Sequence, residues 1–191
     1  MCFYITGTLP QTTKIDSLKN LFKNFNMAFN QINNKNIISQ IRPGEKYFRI
    51  TREYCDCNTI LGVSNKQKEY QTLLNSKKVK TLRKRKWTDD QISSWIYEKI
   101  KDKEMPLERR LTPIEKEEKI KKWIEFLRKI LDNKLVSRIG LLKHWYNQGL
   151  EEEEFKIRET RKVNIDDINP KILLNMEEDV LYEFFPSYNI K

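Results

Sequence analysis

The chain has 191 residues, 38% of them hydrophobic and 34% charged, with 37 basic and 27 acidic side chains and a net charge of +10. A globular chain of this length hides about 70% of its unfolded surface, so it needs no staples and is neither disordered nor fibrous. No run nears the roughly 18 apolar residues of a membrane helix. No basic segment leads into an apolar signal core, and three cysteines make no disulfide framework. A reducing, cytoplasmic setting without membrane contact is therefore expected.

The charge is unevenly spread. Residues Leu150–Lys191 carry 11 acidic and 6 basic groups, which leaves 31 basic and 16 acidic groups in the first 149 residues. Such asymmetry points to a basic face offered to an acidic partner, nucleic acid first and an acidic protein surface second. Composition alone, rich in Lys, Asn and Ile, is an equal explanation of the excess.

In chain order, Cys2–Leu9 reads as a strand. Its parity puts Phe3 and Ile5 on one face, and Cys2, Tyr4 and Thr6 on the other. Thr13 to Asp16 has the pattern of a capping box. Ile15, Leu18, Leu21, Phe22, Phe25 and Phe29 follow at helical spacing, ended by the Asn-rich stretch 30–36. Ile37–Ile41 reads as a short strand, Arg42–Glu45 as a turn, and Tyr47–Thr51 as the next strand.

A helix is expected from Lys66 to about Leu82, with Tyr70, Leu73 and Leu74 apolar. It runs into Lys77–Lys86, where seven of ten residues are basic and none is acidic. Thr88 to Gln91 is a second capping box, opening a helix with Ile92, Trp95, Ile96 and Ile100 inward. Residues 103–110 form a charged connection. Thr112, Pro113 and Glu115 then start a helix that Ile120, Ile124, Leu127, Ile130 and Leu131 carry to about Asp132.

Leu135–Tyr146 fits either element. Gly140 and the Val, Ile, Trp and Tyr content favour a strand. Gly149 and Glu151–Glu154 would tip a long hairpin, with Phe155, Ile157, Val163 and Ile165 on one face of the return strand. Asn169 and Pro170 open a last helix, and Leu181–Phe185 is a buried terminal segment.

The expected fold is thus α+β: a mostly antiparallel sheet of about five strands with a helical insertion. Residues 1–65 would be the strand–helix–hairpin part, 66–134 the basic insertion, and 135–191 the hairpin and helix that complete a single domain.

Four constellations bear on chemistry. Lys77, Lys78, Lys80, Arg83, Lys84, Arg85 and Lys86, followed by Trp87, combine phosphate-neutralising charge with an aromatic that can stack on a base. They make a nucleic-acid-binding module, as a subunit of a larger assembly, the first functional reading. A helix-turn-helix built from Thr88 onward is disfavoured by the long 103–110 connection.

Cys2 carries the second reading. Removal of Met1 would place a thiol nucleophile and an α-amine of pKa about 7.7–8.0 on one residue, the logic of an N-terminal-cysteine amidohydrolase. Asn58 is a candidate oxyanion donor. A protein-binding adaptor with a basic face is the third reading. Finally, Cys2, Cys55, Cys57 and the single histidine, His144, could together hold zinc, although C-x-C replaces the usual C-x₂-C knuckle. No cofactor is otherwise called for, because common nucleotide, zinc-protease and hydrolase motifs are absent. The tryptophans Trp87, Trp95, Trp123 and Trp145 read mostly as core.

Overall fold

The computed structural model describes residues 2–57, 59–62, 70, 72–102, 111–132 and 134–187. The chain divides into two compact units, Met1–Val63 with Thr112–Lys191, and Ser64–Leu111.

The first unit is α+β, as its sequence pattern implies. Its six-stranded sheet runs β2 (Asn30–Gln31), β3 (Glu45–Arg49), β1 (Cys2–Pro10), β4 (Ile139–Tyr146), β6 (Val180–Phe185), β5 (Glu159–Asn164). Every neighbour pair is antiparallel except β5 with β6. Strand β1 lies between β3 and β4, and its alternation is realised. On one face Gly7 stands opposite Phe48 and Leu141. On the other, Cys2 stands opposite Tyr146 and Tyr4 opposite His144.

Helices α1 (Ile15–Asn24) and α5 (Pro113–Asp132) meet through aromatic rings. Phe22 lies 5.4 Å from Phe126 and 6.0 Å from Phe48, edge to face, the arrangement ring quadrupoles favour. The second face carries Tyr47, Leu142 and Leu181, packed with Ile32, Ile37 and Ile41 and covered by Leu150, Phe155 and Ile157. Gly140 sits in β4 because a Cβ there would come within 2.3 Å of the Thr8 hydroxyl on the adjacent strand.

Several local expectations are corrected. The box at Thr13–Asp16 does not form: Lys14 is the N-cap without a side-chain bond, Thr13 is buried, and Asp16 pairs with Lys19. The helix ends at Asn24, ahead of the Asn-rich stretch, and Asn26 takes a left-handed φ of 56°. Ile37–Ile41 is no strand. Asn34 caps a short helix α2 (Lys35–Ile38) by accepting the Ile37 N–H, while its amide donates to the carbonyls of Leu150 and Glu153.

The long hairpin after β4 is also absent. Residues 153–158 leave the sheet, held by Asn36 and Gln40, which accept the N–H groups of Phe155 and Ile157. Strand β5 then pairs parallel with β6 instead of returning along β4. The apolar residues of the supposed return strand serve as a cover for the sheet face.

The second unit is helical. Residues 72–74 are helical, a turn at Asn75 and Ser76 follows, and Ser76 caps α3 (Lys77–Lys84) through the Val79 N–H. Residues 85–88 link α3 to α4 (Asp89–Asp102). Val79, Leu82, Ile92, Ile96 and Ile100 form the core, flanked by Tyr70, Leu73, Leu74 and Trp95. The unit closes at Leu111, so α5, placed by sequence within the insertion, belongs to the sheet unit. The start of the helix expected from Lys66 and the 103–110 connection lie outside the described residues.

The capping boxes at Thr88–Gln91 and Thr112–Glu115 form reciprocally, N–H to side chain in both directions. Among the described residues no helix is long and apolar enough to cross a membrane. Helix α6 (Pro170–Leu174) has its expected Asn169 cap and Pro at the first position.

Candidate functional sites: a basic helix and a cluster of three thiols

The helical unit concentrates the chain's charge. Residues 64–111 hold 14 basic and 7 acidic side chains, which is +7 of the total +10 in a quarter of the length. Helix α3 arranges that charge by periodicity. Val79 and Leu82 point into the core, so at 3.6 residues per turn Lys77, Lys80 and Lys84 line the opposite face. All seven basic side chains from Lys77 to Lys86 are exposed. Among the described residues the run's ion pair is Arg83 with Asp89, 3.6 Å apart and both well exposed, which is worth little in water.

The run ends in a Schellman turn. The Lys86 N–H donates to Arg83 O at 3.0 Å and the Trp87 N–H to Leu82 O at 3.2 Å, while Lys86 takes the left-handed φ of 60° usually given to glycine. That reversal presents Trp87, 39% exposed, beside the last basic residues. Helix α4 opens with Asp89 and Asp90 and exposes Glu98, so the exposed positive charge is concentrated on α3 and the turn, not α4. A compact α3–turn–α4 pair thus exists upstream of the position at which sequence spacing argued against one.

The thiols gather at the far end of β1. Strand β3 leaves β1 after Arg49, with a last N–H from Ile50 to Ile5 O at 3.5 Å, which frees Phe3 and the Ile5 N–H on the edge of β1. Asp56 takes the missing strand's place. Its N–H donates to Phe3 O at 2.8 Å, and its Oδ2 accepts the Ile5 N–H and the Thr51 hydroxyl, each at 2.8 Å. Asp56 is fully buried, and its Oδ1 has no partner among the described residues. Thr59 donates from both N–H and hydroxyl to Asp56 O, and accepts the Gly62 N–H. A Cβ on Gly62 would fall 1.7 Å from that same Asp56 O, so only glycine fits there.

With Asp56 pinned, the cysteines on either side of it meet Cys2. The three Sγ atoms lie within 4.8 Å of one another, all half-buried and all free thiols. The Phe3 N–H donates to Cys57 Sγ at 3.3 Å. Burial pushes the Cys57 thiol up to about 11, with the Cys55 and Cys2 sulfurs adding to it against the Phe3 N–H. Burial, then the Cys2 sulfur, also pushes up the Tyr4 phenol, over whose ring the Arg49 guanidinium sits at 4.7 Å.

His144, the fourth expected ligand, does not join the cluster. Its Nδ1 lies 2.6 Å from Asp179 Oδ1 and its Nε2 3.6 Å from Glu153 Oε1, and its ring stacks on Phe155 at 3.5 Å. Glu153 in turn accepts the N–H groups of Asn147 and Gln148. Burial works to raise the Glu153 carboxyl; those N–H groups outweigh it and hold the carboxyl below its usual range.

Cys2 therefore has two sulfurs as its neighbours, while the histidine faces two carboxylates. Met1 and Asn58, on which the amidohydrolase reading drew, lie outside the described residues. Of the tryptophans, Trp123 is buried, whereas Trp87 and Trp145 are more than a third exposed.

Sequence reading missed the parts played by Asp56, Thr51 and Gly62. The available signal was an Asp enclosed by two cysteines, with Gly six residues on. Comparison with known proteins adds no assignment: no family model, curated protein or solved structure matches the chain.

Proposed function

We propose that the chain is a nucleic-acid-binding module that grips phosphates with α3 and the turn after it. Lys77, Lys80 and Lys84 form the central row, Lys78, Arg83, Arg85 and Lys86 flank it, and Trp87 is the stacking surface. One observation carries the reading: seven basic side chains stand in water on one short helix and its turn, set, among the described residues, against a single weak ion pair.

The row spans roughly 10 Å at 1.5 Å per residue. A duplex strand presents a phosphate about every 3.4 Å along its axis, so the row matches about three phosphates. Contacts of this kind position a nucleic acid and carry no base information, so affinity is sensitive to salt and tolerant of sequence.

The test is fluorescence anisotropy with a labelled duplex and a labelled single strand across a salt series. Binding should weaken as salt rises, and the Lys77→Gln/Lys80→Gln/Lys84→Gln variant should lower the log–log slope on duplex by about 2.7, near 0.9 per phosphate contact. Trp87→Ala should weaken the single strand more than the duplex, by about 1–3 kcal/mol for one lost stacking contact. No binding at about 50 mM salt, or an affinity indifferent to salt, would overturn the proposal and leave an acidic protein surface as the partner.

A further inference from the structure

We propose that Cys2, Cys55 and Cys57 form a binding site for a thiophilic cation, zinc in the first instance, with a fourth position open to solvent. The site belongs to the sheet unit and does not rest on the reading of the basic helix.

The first argument is distance. Zinc–sulfur bonds of about 2.3 Å at tetrahedral angles put ligand sulfurs about 3.8 Å apart. Three sulfurs already within 4.8 Å of one another reach that spacing through small side-chain rotations. The second is construction. C-x-C on a free loop would scatter its sulfurs; here the residue between them is fully buried and fixed to β1 by its N–H and one carboxylate oxygen. The loop is closed behind it by Thr59 and Gly62. Loop and strand thus hold the sulfurs in place before any ligand arrives.

The third argument is the chemistry of the donors. Asp56 Oδ2 is turned to Ile5 and Thr51, and His144 to Asp179 and Glu153, and among the described residues the donors gathered within 4.8 Å of one another are the three sulfurs. An all-thiolate set selects zinc or copper(I) over magnesium, calcium or manganese. The backbone N–H of Phe3 donates to Cys57 Sγ, as outer hydrogen bonds do for ligating sulfurs.

Three half-buried cysteines, the ligands gathered among the described residues, leave one coordination position for water or an incoming thiol, whereas closed structural sites use four. As the metal–sulfur bonds form, the displaced thiol protons pass to solvent.

Cobalt(II) is the direct probe. The reduced full-length protein, titrated with cobalt, should develop sulfur-to-metal charge-transfer and tetrahedral d–d absorption that saturates at one ion per chain. Stoichiometric zinc should bleach it. In a separate sample of the cobalt-loaded protein without zinc, a small thiol should shift the d–d bands by entering the open position. Each of Cys2→Ser, Cys55→Ser and Cys57→Ser should weaken zinc by more than about 100-fold, the upper figure for losing only an outer partner, whereas His144→Gln should leave the spectrum unchanged.

No cobalt spectrum in protein with three titratable thiols would overturn the site, as would a spectrum that survives the serine changes. Bands that ignore added thiol would overturn the open position. If a serine variant fails to fold, the wild-type spectrum and its stoichiometry still decide the question.

Discussion

Asp56 offers the sharpest check on how the thiol cluster is built. Replacing it with Ala removes the acceptor for two buried donors, the Ile5 N–H and the Thr51 hydroxyl. An orphaned buried donor costs about 1–3 kcal/mol. The Thr51 hydroxyl can rotate and sits at the low end; the Ile5 N–H is fixed in β1 and cannot. Asp56→Ala should therefore lower stability by about 2–4 kcal/mol. Asp56→Asn keeps an oxygen for both donors and sets its amide where Oδ1 has no partner. It exchanges one unpartnered buried atom for another and should lie closer to wild type than the Ala variant. Burial, working against the bonds from Ile5 and Thr51, leaves the Asp56 carboxyl above its ordinary value. The folded state thus holds that proton more tightly than the unfolded chain. The resulting stabilisation is complete below the unfolded value of about 3.9 and fades as pH rises through the folded one. Asp56→Asn should abolish that fading. The assay is urea unfolding at constant m, paired with hydrogen exchange at the Ile5 amide. Equal stability of the Ala and Asn variants, or no gain in exchange at Ile5 in the Ala variant, would refute the view that Asp56 stands in for a missing strand.

Lys86→Gly should stabilise the helical unit by up to about 1 kcal/mol, because it relieves a left-handed lysine. The same change should lower the salt slope on duplex by about 0.9, and a lower melting temperature would contradict the first half. Glu153→Gln should be less stable than wild type at neutral pH, since the Glu153 carboxyl is held below its usual range. Such a group stabilises the fold above the unfolded value of about 4.3 and loses that contribution as pH falls through the folded one. The two acid-unfolding curves should converge at low pH, and parallel curves would contradict the assignment.

The legible parts of the chain were those where one local signal sets one local outcome. The alternation of Cys2–Leu9, the boxes at Thr88 and Thr112 and the Asn169–Pro170 start all became what short-range chemistry dictates. The illegible parts were decided from a distance. Ile37–Ile41 has the β-branched content of a strand, but Asn34 is fixed by the carbonyls of Leu150 and Glu153, more than a hundred residues away, and caps a helix instead. Phe155 and Ile157 have strand parity, yet the face they bury against lies on β3, β4 and β6. The cysteines could be named from sequence, but their meeting could not. It follows from β3 ending one pairing short of Ile5, which no residue near Cys2 encodes.

The two units partition their charge differently, and the proposed binding role supplies one reason for the basic run. In the sheet unit acid and base answer each other. Arg42 holds the buried Glu183 through two nitrogens at 2.8 and 2.7 Å, Arg138 holds the buried Glu45, and Arg161 holds Glu177. The acidic C-terminal third thus finds partners within its own unit. The helical unit has a smaller core and can least bear self-repulsion. It nevertheless keeps seven cations in ten residues, and none of them supports its interior. Compositional drift would scatter lysines through both units without regard to periodicity. Neutralising Lys77, Lys80 and Lys84 should then leave the unit as stable as before or more so while binding falls. That separation of stability from affinity is expected where charge is retained for a partner.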